Sequence, residues 1–341
     1  MNIMPNYNHI LLPLELDKET LKKELDQIVE LGWNTQKPFS TIGVPGLTTT
    51  TYHEGNWKII SLRSVGGDDN RTDPGGPSLS EYSDTKYMAK APYIKSIIDR
   101  FGEYVRTVRL SVLYPGEQIH EHSDTYLAFR YGHVRLHVPI ISNDNVKMSI
   151  GGELKQWSEG ELWYGDFSSA HSVINNGTTP RVHLIIDVCI CDELLSLFSE
   201  EVLSEIGEKN ILRHQLGTSI PQEELAKFEC DFLISAGLIK GVFEFDDGIP
   251  GESYGRITLV DQNLIFFIND IPIFSLISIA KGEFRFMGWS MERTLTFEME
   301  DDKITAICFE IHSGDYTSKV LIPTVEKAKI EEVQLKEKTT A

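Results

Sequence analysis

Six of the ten histidines fall between His120 and His183, a density found nowhere else in the 341-residue chain. Within that stretch Gln118-Ile-His-Glu-His122-Ser-Asp124 ends in His-x-Asp. In an extended segment residues two apart project to the same face, so an imidazole and a carboxylate at this spacing can grip one ion. Alone the pattern is weak, because a solvated strand end supplies it too. A third group adds to it. His171 opens Ala170-His-Ser-Val-Ile-Asn-Asn-Gly-Thr-Thr-Pro-Arg181, with a turn signal at Asn176-Gly177. A three-residue loop with Gly177 left-handed pairs Ile174 with Thr178 and sets His171 opposite Arg181, whereas a two-residue loop turns Arg181 to the other face.

The first register joins two His and one carboxylate to a guanidinium, and two His plus one carboxylate with open positions is the facial triad of non-heme Fe(II) oxygenases. These enzymes draw two electrons from a reductant, commonly 2-oxoglutarate. Its distal carboxylate calls for a fixed fork of donors, which Arg provides and Lys provides poorly. Arg181 is the candidate. In His133-Val-Arg135-Leu-His137 the two-residue rule puts Arg135 and His137 on one face, and Ser111 lies on the strand leading toward His122, so these three can hold the other polar ends of the co-substrate. Trp57 and Arg63 are candidates for touching the substrate, Arg63 through a substrate carboxylate. His120 and His183 read as structural.

Arg109-Leu-Ser-Val-Leu-x-Pro-Gly-x-x-Ile-x-x-His122-x-Asp124, then Arg135-Leu-His-Val-Pro-Ile140, Gly152-Glu, Gly160-Glu161, His171-Ser-Val-x-Asn and Arg181-Val-His-Leu-Ile-x-Asp187 follow in that order. This succession resembles the aspartyl/asparaginyl β-hydroxylase family, free-proline hydroxylases included, over roughly Trp57 to Val188. The resemblance implies a double-stranded β-helix, the jelly-roll or cupin-like fold. It implies Fe(II) on His122, Asp124 and His171, with 2-oxoglutarate held chiefly by Arg181, assisted by Ser111, Arg135 and His137, and O2 as second co-substrate. The activity implied is hydroxylation of an unactivated C–H of an amino acid, free and proline-like or an Asp/Asn-type residue within a peptide, releasing succinate and CO2. Two readings compete. A cupin-type isomerase or lyase would use His120, His122 and Asp124, and a non-enzymatic jelly roll would only bind a small molecule or peptide. Neither requires Arg181 at its position.

The elements that must position these residues are mainly strands flanked by helices. Leu21, Leu25, Ile28 and Val29 after Asp17 predict a helix stopped by Gly32, and Pro92 with Ile94, Ile97, Ile98 and Phe101 predicts another closed by Gly102. Between them Ser64 to Lys90, rich in Gly, Asp, Ser and Pro, is long for a connection and reads as a lid over the substrate or as a disordered insertion. Thr107 to Ile190 alternates in short runs separated by turns. Two helices are expected over Asp192 to Ile206 and Pro221 to Ala236. Strand-like runs from Gly241 to about Ile322 predict a second β unit. The divisions expected are 1–190 for the jelly-roll oxygenase domain with N-terminal helices, 191–238 for a helical connector, 239–325 for a small antiparallel β domain, and 326–341 for a charged tail.

Composition bounds the partners. With 51 Asp and Glu against 32 Lys and Arg, the formal charge is −19, a field that repels nucleic acid and anionic membrane surfaces. A chain with 41% hydrophobic and 24% charged residues can bury a sizeable core. No apolar run is long enough to cross a bilayer, and the N-terminus lacks a signal-peptide pattern. Four cysteines fit neither a disulfide framework nor zinc spacing. The expectation is a cytoplasmic enzyme acting on a small amino acid or peptide, with room for a homodimer.

Overall fold

Alternation along three neighbouring strands explains both the core and the site. The computed structural model describes residues 7–35, 57–235, 237, 252–326 and 329–331. Its major sheet holds β1 (His9–Glu15), β2 (Asn34–Thr35), β3 (Lys58–Val65), β4 (Tyr82–Asp84), β5 (Val105–Leu113), β7 (His133–Ile141), β10 (Glu161–Gly165) and β12 (Arg181–Cys189), in the order β1-β10-β7-β12-β5-β3-β2 with β4 on β3. The minor sheet runs β6 (Gln118–His122), β11 (His171–Asn175), β8 (Val146–Ile150), β9 (Glu153–Lys155). Together they form the double-stranded β-helix.

One face of β5, β7 and β12 carries Val108, Leu110, Val112, Leu136, Val138, Leu184 and Ile186, all packed under the helices α1 (Lys18–Val29) and α2 (Pro92–Ile98). Each such side chain contributes about 1.5–3 kcal/mol when fully buried. Asp17 caps α1, its carboxylate accepting from the amides of Glu19 and Thr20, and Pro92 opens α2. The opposite face turns into the space between the sheets. There Leu113 and Trp163 meet Ile119, Met148, Ile150 and Val173 of the minor sheet.

The hairpin expected around Asn176-Gly177 does not form. His171 pairs with His122 and Ile150 in the minor sheet, while Arg181 pairs with Leu113 in the major sheet. The connection crosses between sheets, pinned by Asn175, whose Nδ2 donates to the Leu113 and Thr179 carbonyls at 3.0 and 2.9 Å. Gly177 is accordingly not left-handed.

A third sheet runs as one antiparallel meander: β13 (Cys230–Ser235), β14 (Glu252–Val260), β15 (Asn263–Ile268), β16 (Ile271–Ala280), β17 (Glu283–Phe286), β18 (Arg293–Glu300), β19 (Lys303–Ser313) and β20 (Tyr316–Pro323). It nearly closes on itself, since Phe232 bridges to Thr324, and it wraps buried Phe232, Phe266, Phe274, Phe284, Phe286 and Phe309. The helix expected over 221–236 stops at Leu225, and its second half is β13. Phe232 and Ile234 alternate into the phenylalanine core, and that burial outweighs the helical spacing of Leu225, Phe228 and Phe232. The helix expected over 192–206 is two, Asp192–Leu195 and Glu200–Ile206, the second capped by Ser199.

Residues 64–90 pack into the molecule rather than standing off as an insertion, and Pro74 among them lines the pocket that holds His122, Asp124 and His171. Thr72, Asp73 and Ser78 are buried, and the segment is fastened to the third sheet by Ser78 N to Met287 O, Ser275 N to Ser78 O and Tyr82 Oη to Gly288 O, all 2.8–3.0 Å. The first strand-like residues expected from Gly241, up to 251, and the tail beyond 331 lie outside the described residues.

Candidate active site

His122 and His171 face each other across the β6–β11 pair with ring centroids 4.1 Å apart, and His122 Nε2 lies 3.7 Å from Asp124 Oδ1. One ligand atom from each of His122, Asp124 and His171 falls within 4.8 Å of the others, and no other trio of His, Cys, Asp and Glu among the described residues does so. Both imidazoles are oriented for this. Nδ1 of His122 donates to the His120 carbonyl at 2.8 Å and Nδ1 of His171 to the Ser169 carbonyl at 3.0 Å, so each presents a bare Nε2. His120 contributes its backbone alone, and its side chain is exposed. Burial lowers the His171 pKa, keeping its ring neutral as a ligand must be.

The wall opposite is built by β5, β7 and β12, whose inward rows present Arg109 and Ser111, Arg135 and His137, and Arg181 to one pocket. Register aligns them: His183 lies opposite Ser111, Ile185 opposite both Arg109 and His137, and Asp187 opposite Arg135. Arg181 is 2% exposed. Its Nη2 donates to His183 Nδ1 at 2.9 Å, its Nε has no partner, and no carboxylate among the described residues reaches it. A buried guanidinium with no counter-ion is costly, and burial pushes its pKa down. The pocket therefore offers the donor set of a divalent iron beside a cation lacking its carboxylate, which fits 2-oxoglutarate.

Arg135 is differently engaged. It forms a bidentate pair with Asp187 at 2.6 and 3.1 Å and also contacts Asp124 Oδ2. Burial disfavours the Asp187 carboxylate, but Arg135, Arg109 and the Thr107 hydroxyl outweigh it and hold its pKa well below the usual carboxylate range. His137 is buried, stacked on Phe167 at 4.7 Å, with Nδ1 3.2 Å from His183 Nδ1 and Nε2 unpartnered. Trp57 lines the pocket and donates from Nε1 to Ser111 Oγ at 2.8 Å.

Arg63 does not reach this site. Its guanidinium is consumed by Asp84 at 2.9 Å and by the carbonyls of Tyr82 and Val105, because β4 pairs beside it and turns it away from the interior. This corrects the expectation that Arg63 meets a substrate carboxylate. On the other side of Asp124 opens a cleft of about 640 Å³ lined by Asn8, Tyr126, Arg130, Tyr131, Tyr164 and Asp166, among others.

The family model for aspartyl/asparaginyl β-hydroxylase matches residues 15–190, just over half of the chain. The chain belongs to that family. It is accordingly a 2-oxoglutarate-dependent hydroxylase that uses Fe(II), 2-oxoglutarate and O2. An L-proline cis-4-hydroxylase of Rhizobium meliloti (strain 1021) is 25% identical over 221 residues, 62% of this chain and 70% of that one. Among solved structures it is similar to a 2OG-Fe(II) oxygenase family oxidoreductase from Burkholderia pseudomallei (11% identity, 54% of this chain and 87% of that chain, TM-score 0.34). It is also similar to the viral collagen prolyl hydroxylase of Paramecium Bursaria Chlorella virus-1 (7% identity, 55% and 99%, TM-score 0.32).

In this hydroxylase Asp187 closes the last motif of the sequence but was given no role there, and Phe167 and the cleft were not expected at all. Asp187 was findable, since Arg181, His183, Ile185 and Asp187 keep the two-residue period of one strand face. Phe167, whose carbonyl accepts the Asp124 amide at 2.8 Å, lies in a loop and carries no such period. Among the described residues no helix is long and apolar enough to cross a membrane.

Proposed function

We propose that this hydroxylase oxidises an unactivated C–H of an amino acid, free and proline-like or an Asp/Asn-type residue within a peptide, and releases succinate and CO2. The observation that carries this reading is the buried, counter-ion-free Arg181 across the pocket from His122, Asp124 and His171. In it, the two Nε2 atoms and one Asp124 oxygen hold Fe(II), and the bound metal supplies O2 activation. Arg181 pairs with the distal carboxylate of 2-oxoglutarate, with Ser111 and His137 flanking it. Arg135, tied to Asp187, orients Asp124 so that one oxygen stays on the metal. The apolar wall of Ile119, Met148, Phe167 and Val173 excludes water from the reacting centre. The substrate enters by the cleft that shares Asp124 with this pocket, within reach of Trp57 on the inner side. The L-proline hydroxylase relative supports the amino-acid class.

The test is a screen of free amino acids and short Asp-, Asn- and Pro-containing peptides by mass spectrometry, with succinate measured alongside. A substrate-dependent gain of one oxygen with matching succinate is expected. Isomerised or cleaved product without succinate would favour the cupin-type reading, and it would overturn this one.

A further inference from the structure

Between the oxygenase sheets and the third sheet lies a second cavity, about 310 Å³, lined by Arg106, Cys189, His214, Arg285, Gly288 and Trp289 among others. It takes no part in the reaction above. Arg106 is 6% exposed, and its fork donates to Tyr82 Oη and the Gly288 carbonyl at 2.9–3.3 Å while Nη1 has no partner. No carboxylate lies within ion-pair distance of it among the described residues. Arg285, also 6% exposed, meets Glu81 at 3.2 Å through Nη2, and its Nε is unpartnered. His214 Nδ1, buried, is a third unpartnered nitrogen.

Three residues that line this one cavity, from three parts of the chain, thus each carry an unmatched buried nitrogen. The balance of charge there is positive. Two carboxylates line the rim, Glu81 and Glu103, and both are exposed, so neither supplies a buried counter-ion. Burial together with Arg285 and Arg106 pushes the His214 pKa down to about 3, which reports the same positive field. Burying a guanidinium without an anion costs several kcal/mol, and a preformed hole of this size is the opposite of the close packing that would avoid the cost.

We propose that this cavity is a binding site for a small oxyanion, a phosphate or carboxylate group, held between the two parts of the molecule by Arg106, Arg285 and His214. Phosphate and carboxylate share the chemistry of charge-assisted acceptance from arginine forks. Titration calorimetry on the full-length protein, with inorganic phosphate in one arm and acetate, which lacks the second carboxylate of the co-substrate and its product, in the other, tells the two apart. One of them is expected to bind once per chain, to bind equally to Arg181→Gln, and to bind at least about tenfold more weakly to Arg285→Gln and Arg106→Gln. Should Arg106→Gln not fold, Arg285→Gln and His214→Phe decide. Absence of binding to the wild type by either anion up to roughly 10 mM, well past millimolar affinity, overturns the proposal. So does binding that survives in Arg285→Gln or disappears in Arg181→Gln.

Discussion

Arg181 shows at the scale of one residue how function can be read from an unpaid electrostatic cost. Its guanidinium is buried beside two neutral imidazoles, so its charge is stabilised only when a carboxylate arrives. Arg181→Lys keeps the charge and loses the fork. The loss of a desolvated bidentate pair is about 2 to 5 kcal/mol, so the KM for 2-oxoglutarate should rise roughly thirty-fold or more with metal affinity unchanged. Steady-state kinetics with separate metal titration checks this. Asp187 makes a second case. Its folded pKa is depressed, so its contribution to stability is present above the unfolded carboxylate value of about 3.9 and is lost as pH falls toward the folded value. Asp187→Asn strands Arg109, leaves Arg135 its contact with Asp124, and should cost about 3–5 kcal/mol at pH 7, with a shallower decline below pH 4 than the wild type, by urea unfolding across pH. His122 and Asp124 were legible because their two-residue spacing is local, whereas His171 reaches them by a sheet pairing that its own neighbours do not announce. Arg63 was misread because its neighbour Asp84 arrives from 21 residues away.

Elements were legible where their own residues decide them. The apolar stripes of α1 and α2, with Asp17 and Pro92 at their starts, gave both helices, and left-handed Gly151 and Gly160 sit at turns between the short runs of Thr107 to Ile190. Two cases failed because the partner decides. The chain from His171 to Arg181 changes sheets, so local hairpin rules named the wrong neighbour while still bringing both residues to one pocket. Cys230–Ser235 became a strand because the third sheet offers it an edge and a phenylalanine core. That sheet also steadies the oxygenase: Arg293 lies 4.8 Å from the centre of the Tyr126 ring, and Tyr126 lines the cleft two residues beyond Asp124. Because residues 66–81 are fastened to the same sheet, limited proteolysis should leave them uncut without ligands as well as with 2-oxoglutarate and an inert metal. Cleavage there only in the unliganded protein would restore the lid.

At the scale of the whole molecule, the two largest hydrophobic cores among the described residues divide the labour. One stiffens the outer face of the major sheet, so that its inner face can carry arginines and histidines that would not pack unaided; the other, rich in phenylalanine, supports the third sheet against the loop and strand edges around the cleft. The net charge of −19 repels polyanions, so the ligands suited to these interior arginines are small anions. The central claim is that His122, Asp124 and His171 hold the iron and Arg181 the co-substrate in one assembled site. Anaerobic titration of the Fe(II)-loaded protein with 2-oxoglutarate, followed by the visible charge-transfer absorption of the chelate, tests it most directly. The absorption should saturate in the wild type, need far more 2-oxoglutarate in Arg181→Lys, and fail to develop in His171→Ala. An undiminished absorption in His171→Ala, at wild-type 2-oxoglutarate concentrations, would contradict the assignment.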